Sequence, residues 1–412
     1  MKSKSVTVIG AGPAGLMAAI EAAVNGAEVT VLEKNSILSK KLLITGKGRC
    51  NITNNCDIDE FISNIPTNGR FLYSAVNAFT PQDAIEFFEN LGVKTKTERG
   101  NRVFPVSDKA YDVAQALQKN ARELGCKIIH AQVKSLVIED GVLIGCKDIN
   151  SNTYKSDSVI IACGGMSYPL TGSTGDGYKF AKQAGHTVTD LSPSLVPLEC
   201  QEKFCKDMQG LSLKNVRVTV FDNFSKKSVY NDFGELLFTH FGLSGPTILS
   251  ASCHMKNIQS GKYSIIIDLK PALDDSQLDK RLQRDFQENI NKAVSNSLSK
   301  LLPRKMIPDV LKLWNVPFDK KCNVITKEER QRLVSILKSF TVTVTKFRPI
   351  EEAIITSGGV KTSEINPKTM QSKLLDNLYF AGEVIDVDGY TGGFNLQIAY
   401  STGVLSGRNS AL

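Results

Sequence analysis

One run, SVTVIGAGPAGLMAAIEAAVNGAEVTVLEK, starting at Ser5, leaves few folds open to this chain. Val6 to Ile9 is short, apolar and β-branched, as a buried parallel strand requires. Gly10, Gly12 and Gly15 follow in the spacing GxGxxG. Pro13 stands where a first helical turn tolerates a residue without an N–H. Leu16 to Val24 is alanine-rich and predicts a helix, which Gly26 can end. Glu28 to Leu32 predicts a second strand, closed by Glu33. Gly10 permits a tight turn, Gly12 lets a pyrophosphate approach the backbone, and Gly15 lets helix and strand pack closely. The helix start offers unpaired N–H groups and partial positive charge to phosphates. Glu33 lies about 20 residues on, where a carboxylate accepts from the adenosine ribose hydroxyls and repels a 2′-phosphate. The pattern predicts a dinucleotide site that disfavours NADP.

The stretch LLITGKGRCNITNN, from Leu42 to Asn55, is too polar for a core strand and too rich in glycine for a helix interior. It reads as a phosphate cradle, a metal or redox site on Cys50 and Cys56, or a surface loop. A NAD dehydrogenase would continue into further βα repeats. Here the chain passes instead through Lys40 and Lys41 into this loop. Gly46 and Gly48 allow close backbone approach, and Arg49, Asn51 and Thr53 supply donors, which suits a flavin lying along the loop. Arg49 and Asn51 are expected to be its main polar contacts. No histidine lies between the two cysteines to complete a metal site.

Two later segments fit the same cofactor. Val159 to Ala162 predicts a strand running into Gly164 and Gly165, and STGDGYKFAKQAGH predicts a helix from near Gly175 with Asp176 in its first turn. Leu378 to Ala381 predicts a strand ended by Gly382 and Glu383. After Gly392 and Gly393 a helix is expected over Asn395 to Gly403. A helix N-terminus aimed at the flavin would stabilise the negative charge of its reduced ring.

Composition bounds the alternatives. The chain has 412 residues, 42% hydrophobic and 22% charged, which argues against extensive disorder. No apolar run approaches the ~20 residues that span a bilayer. Nine cysteines without CxxC spacing fit reduced thiols. The expectation is a soluble cytoplasmic protein. The formal charge is +8, but 42 acids accompany 50 bases without a long basic block, so the expectation is a solvated surface of mixed sign and no nucleic-acid partner.

Residues 191–346 interrupt the flavin pattern. SPSLVPLEC opens the interruption, and VRVTVFDNFSKKSVYNDFGELLFTHFGLSGP alternates like strands with a turn near Asp222 to Ser225. The expectation is a β barrel or sandwich over 191–272, then helices over 273–340 broken at Pro303 and Pro308. Residues 1–190 and 347–412 would form the flavin domain. The insertion would roof the flavin, or serve only the fold or a dimer.

The motifs GKGRCNITN, SYPLTGSTGDGYKFAKQAGH, GELLFTHFGLSGP, TMQSKLLDNLYFAGEVIDVDG and TGGFNLQIAYSTG, in this order over nearly the whole chain, resemble the YhiN/BaiN-like FAD-dependent oxidoreductases, which include aminoacetone oxidase-like flavoproteins and a reductase of unsaturated keto bile acids. The resemblance implies an α/β fold, a Rossmann-like two-part FAD-binding domain interrupted by an inserted β-barrel plus helical domain. It implies FAD contacts from Gly10, Gly12, Ala14, Gly15, Glu33, Lys34 and Lys41. It extends them to Gly46, Gly48, Arg49, Cys50 and Asn51, to Val133 beside the adenine, and to Gly164. At the C-terminal end it points to Gly382, Glu383, Asp388, Gly389, Gly393, Phe394, Asn395 and Leu396. Lys47 stands where the family commonly has a small residue, and it is read as facing water.

FAD is expected to be held without a covalent bond. Hydride transfer belongs to the flavin, and the protein supplies orientation, electrostatics and a proton. His240 is the weak candidate donor, with Tyr168 and Tyr390 behind it. His130 is read as structural, His186 as a helix-capping group, and Cys50 as a passive neighbour of the flavin. No second GxGxxG follows a strand, so NAD(P)H visits transiently or another reductant or O₂ completes the cycle. The expected function is hydride transfer between FAD and a small organic molecule, such as reduction of an unsaturated ketone. The alternatives are a flavoprotein of RNA modification and a non-catalytic FAD-binding protein.

Overall fold

The strand that precedes the glycines is the middle of a five-stranded parallel sheet. The computed structural model describes residues 3–412. The sheet order is Leu378–Phe380, Ser158–Ile161, Ser5–Ile9, Glu28–Glu33, Lys127–His130. Ser158–Ile161 is buried along its length, so its run of apolar residues does not alternate. The helix Pro13–Val24 crosses between the first two strands in chain order and buries eight of its residues.

The C-terminal helix runs over Phe394–Ser410, past the stop expected at Gly403. Glycine weakens a helix by about 1 kcal/mol, and packing overrides that cost here. A Cβ on Gly403 would lie 2.5 Å from the Ala14 carbonyl oxygen, and one on Gly407 would lie 2.3 Å from that of Ala18. The two glycines therefore let the C-terminal helix sit against the backbone of Pro13–Val24.

Contacts divide the chain into two units, Met1–Ser194 with Pro349–Leu412, and Leu195–Arg348. The second holds a closed six-stranded barrel: Leu198–Cys200, Gly242–Ser244, Lys227–Phe238, Ser212–Asp222, Tyr263–Asp268, Phe340–Phe347. The helices Asp275–Glu288, Ile307–Trp314 and Lys327–Lys338 fall between its fifth and sixth strands. After the helical stretch the chain returns to the barrel with one more strand, Phe340–Phe347. Closure needs a strand that pairs with both Tyr263–Asp268 and Leu198–Cys200, and the alternating FTVTVTKF, with Phe340, Val342 and Val344 buried, supplies it. Trp314, fully buried, donates its indole N–H to the Glu329 carbonyl at 2.6 Å and ties the helices together.

Among the described residues no helix is long and apolar enough to cross a membrane. The glycine contact between the two helices is testable. Gly407→Ala forces a methyl into the Ala18 backbone and is expected to cost about 1–3 kcal/mol. Thermal melting of the FAD-loaded protein should show a lower midpoint, and an unchanged midpoint would contradict the packing described.

Candidate functional site

At the carboxyl ends of the parallel strands, where open α/β sheets take their ligands, a cleft opens in the first unit. The three glycines of the first turn have different surroundings. Gly10 is in the left-handed region (φ +107°), and its Cβ would lie 2.6 Å from the Ala162 carbonyl oxygen. A Cβ on Gly15 would lie 1.9 Å from the Gly10 carbonyl oxygen. Both positions are closed by protein. A Cβ on Gly12 meets nothing within 4 Å and points into the space a dinucleotide would fill.

Glu33 is buried at the end of its strand, and three donors fix its carboxylate. Oε2 accepts from the Ala11 N–H at 2.8 Å, and Oε1 accepts from the Asn35 N–H and side-chain amide, each at 2.8 Å. A carboxylate has room for about four acceptor contacts, so this arrangement leaves capacity for a ribose hydroxyl. Asn35 was absent from the expected set, although its position two residues after the acid is that of a local side-chain turn.

Two helices start at this cleft without a side-chain cap. Pro13–Val24 presents Pro13 and Ala14, and Phe394–Ser410 presents Asn395 and Leu396. Uncapped N–H groups and the helix dipole attract anionic groups at such positions. Asn395 also fixes the preceding loop, accepting from the Gly389 N–H and donating to its carbonyl, both at 2.8 Å.

Two lysines line the cleft with their charge already met. Lys41 Nζ lies 2.5 Å from Glu383 Oε2 and donates to Ser167 Oγ at 2.7 Å. Glu383 Oε1 accepts from Ser167 Oγ and from the Thr356 N–H, each at 2.9 Å. Lys34 Nζ lies 2.6 Å from Asp176 Oδ2. Burial works against the Asp176 carboxylate, yet bonds from Lys34, Lys179 and Thr174 hold it below the usual carboxylate range. No local pattern in the sequence could pair Lys41 with Glu383, which stand at opposite ends of the chain.

Of the other expected residues, Val133, Gly164 and Gly382 line the cleft. Gly46, Gly48, Arg49, Cys50, Asn51, Asp388, Gly389, Gly393 and Phe394 are not among its lining residues. Lys40–Ile44 is a short helix, and the chain turns over Thr45–Gly48. The Arg49 guanidinium reaches Glu98 and Asp108, the latter at 2.6 Å, and stacks over Phe104 at 4.1 Å. Those bonds raise the Arg49 pKa and lower that of Glu98, while Asp108 is lowered first by the Lys96 ammonium and then by Arg49. Its charge is thus met by two protein carboxylates, one of them, Glu98, on the strand Thr95–Glu98. Asn51 keeps a buried Oδ1 with no partner among the described residues. Cys50 is fully buried, and burial pushes its thiol up to about 12, which makes it unreactive.

Asp388 is buried and accepts from Ser194 Oγ at 2.7 Å and Ser357 Oγ at 3.1 Å. Gly393 passes so close to Thr53 that a Cβ would lie 2.4 Å from its carbonyl carbon. Phe394 packs on Phe61 with ring centres 5.5 Å apart. His186 caps no helix with its side chain: Nε2 lies 2.7 Å from Ser372 Oγ, and burial lowers its pKa. His240 belongs to the barrel unit, exposed, with its ring edge-on to Phe241. Tyr168 holds a left-handed backbone (φ 52°). Tyr390 donates its N–H to the Asn64 carbonyl at 3.0 Å.

Open space at Gly12, a fixed acid at Glu33 and two uncapped helix starts fit FAD. Residues 4–409 match the HI0933-like protein Rossmann domain. This chain belongs to that family. It is 31% identical over 413 residues to the 3-dehydro-bile acid delta(4,6)-reductase of Clostridium scindens, covering 98% of each chain. It is 32% identical over 405 residues to the ribosomal RNA dihydrouridine synthase of Haemophilus influenzae, covering 96% of this chain and 95% of that one. Its fold is shared with the 3-ketosteroid-delta4-(5alpha)-dehydrogenase of Rhodococcus jostii RHA1, with TM-score 0.54 and 14% identity over 99% of this chain and 97% of that one. The HI0933-like chain is an FAD-dependent oxidoreductase, and the non-catalytic alternative falls away.

The glycines separate binding from folding. Gly12→Val should leave the melting of the apoprotein unchanged and weaken FAD binding at least tenfold, roughly the 1.4 kcal/mol equivalent of one decade. Gly15→Val should fail to give folded protein. Flavin fluorescence titration and thermal melting read both. A Gly12→Val protein that binds FAD like the parent would remove the cofactor from this turn.

Proposed function

We propose that this protein reduces a carbon–carbon double bond conjugated to a carbonyl. One observation carries the reading. Relatives aligned over nearly the whole chain bear two names, a delta(4,6)-reductase of 3-dehydro bile acids and a ribosomal RNA dihydrouridine synthase. A 4,6-diene beside a 3-oxo group and the 5,6 double bond of uracil are unlike molecules with the same reacting unit, an alkene polarised by a carbonyl. The oxidoreductase and RNA-modification readings, rivals in the sequence, become one chemistry on two scaffolds.

FAD bound in this cleft would, once reduced, supply the hydride that such an alkene takes at the carbon β to its carbonyl, and solvent would supply the proton to the adjacent carbon. The protein's own work is to hold the cofactor and settle charge around it. Glu33 would hold the ribose end, Gly12 and the start of Pro13–Val24 would receive the pyrophosphate, and the start of Phe394–Ser410 would offer its partial positive charge to the reduced ring. Cys163 lines the same cleft, but burial pushes its thiol well up, with Asp176 and Glu33 adding to the effect. A protonated thiol is a poor nucleophile, which supports non-covalent FAD. NADH or NADPH serves as a transient reductant in this reading.

Anaerobic reoxidation tests the reaction. Protein reduced with dithionite is mixed with a 4-en-3-one steroid, with an oligouridine, or with a saturated ketone. The flavin absorbance should return with at least one conjugated substrate and not with the saturated ketone. No reoxidation by any conjugated carbonyl, tested with a wider panel of enones, would overturn the proposal.

A further inference from the structure

The formal charge of +8 is divided unevenly between the two units. Residues 195–348 hold 25 Lys and Arg against 16 Asp and Glu, a formal +9, and the remainder of the chain is at −1. The expected charges of mixed sign thus carry their excess of bases in the second unit. A basic unit inserted into a neutral one has the composition of an element that meets a polyanion.

Within the barrel, the hairpin of Ser212–Asp222 and Lys227–Phe238 contains the two longest strands, 11 and 12 residues. Its register places Arg217 opposite Phe233 and Thr219 opposite Asn231. Val218 and Val220 point into the barrel, so Arg217 and Thr219, one residue out of step, stand on its outer face. Phe233 is 46% exposed there, and Phe224 at the hairpin tip is 63% exposed. Lys226 and Lys227 adjoin Phe224 and are exposed. Arg217, Lys226 and Lys227 form no ion pair among the described residues, and Arg217 instead donates to Asn231 Oδ1 at 3.2 Å.

The acids of the hairpin are internally engaged. Asp222 accepts from the Phe224 and Ser225 N–H groups, Asp232 from the Tyr230 hydroxyl and the Phe233 N–H, and Glu235 from Ser212 Oγ. The hairpin offers outward two phenyl rings, an amide and the cations Arg217, Lys226 and Lys227, beside the exposed carboxylates of Asp232 and Glu235, which neutral donors hold in place. Exposed rings give bases a face to stack on, and the cations follow the phosphates.

We infer that the outer face and tip of this hairpin bind single-stranded RNA. The inference rests on the proposed enone reduction only for what happens to the RNA, uracil being the base that carries the reacting unit. The binding itself rests on charge and exposed rings.

Full-length, FAD-loaded protein is titrated into fluorescein-labelled oligouridine at several salt concentrations, with anisotropy as the readout. The parent should bind, and more weakly as salt rises. Phe224→Ala combined with Phe233→Ala should weaken binding roughly tenfold or more. Lys226→Gln combined with Lys227→Gln should flatten the plot of log K against log salt by about 1.4, the contribution of two single-strand phosphate contacts. FAD content, thermal midpoint and reoxidation by a free enone should match the parent in both variants. All four positions are exposed, and the two variants test the surface independently. A parent that does not bind oligouridine at 50 mM salt (a low value at which counterion release favours binding, about the lower end used for such comparisons) would overturn the inference, as would variants that bind like the parent. If RNA binds as expected while no enone reoxidises the flavin, the reaction proposal falls and the surface stands.

Discussion

The carboxylate of Glu33 joins three parts of the cofactor cleft. It closes the second strand, holds the first glycine turn through the Ala11 N–H, and fixes the turn that follows through both nitrogens of Asn35. A buried carboxylate without partners is costly, so these bonds are what allow an acid at this depth. Once they are made, the turn at Gly10 and the start of Pro13–Val24 are set relative to the sheet. The adenosine end of a bound FAD would then meet a fixed acceptor.

The other end of the site comes from the far end of the sequence. Leu378–Phe380 joins the sheet next to Ser158–Ile161, and the chain then turns into the helix that packs on Pro13–Val24. Gly403 and Gly407 make this contact backbone-close. Because the two helices touch along their lengths and both begin at the cleft, the packing that stabilises the unit also places two anion-attracting helix starts together. Lys41 with Glu383 bridges the same distant segments, and Lys34 with Asp176 ties the end of the second strand to the helix Asp176–Gln183. Partly buried pairs of this kind hold register between elements more surely than they add stability.

Much of this was legible in the sequence because it is local. The strand, glycine turn, helix, strand and acid fall within thirty residues, and each has a period or a residue type that marks it. The C-terminal helix was visible at its start and misread at its end, since glycine propensity says nothing of a neighbouring backbone at 2.3 Å. The surroundings of Arg49 were out of reach for a related reason. A basic residue beside glycines has the chemistry of a phosphate ligand, and only the fold brings Glu98, on a neighbouring strand, and Asp108, in the loop beyond it, to its guanidinium. The barrel's closing strand, Phe340–Phe347, shows its alternation in the sequence, but alternation identifies a pleat and not its neighbours.

The role given to Glu33 is the claim on which the cofactor site depends most directly. Its measurement is the FAD dissociation constant of Glu33→Gln beside the parent, by flavin fluorescence, with the melting of both apoproteins as the check on folding. A hydrogen bond to a charged group contributes about 1.5–3 kcal/mol. The account predicts FAD binding weakened by roughly ten- to a hundredfold in a protein that still folds. A folded Glu33→Gln protein that binds FAD as tightly as the parent would contradict it.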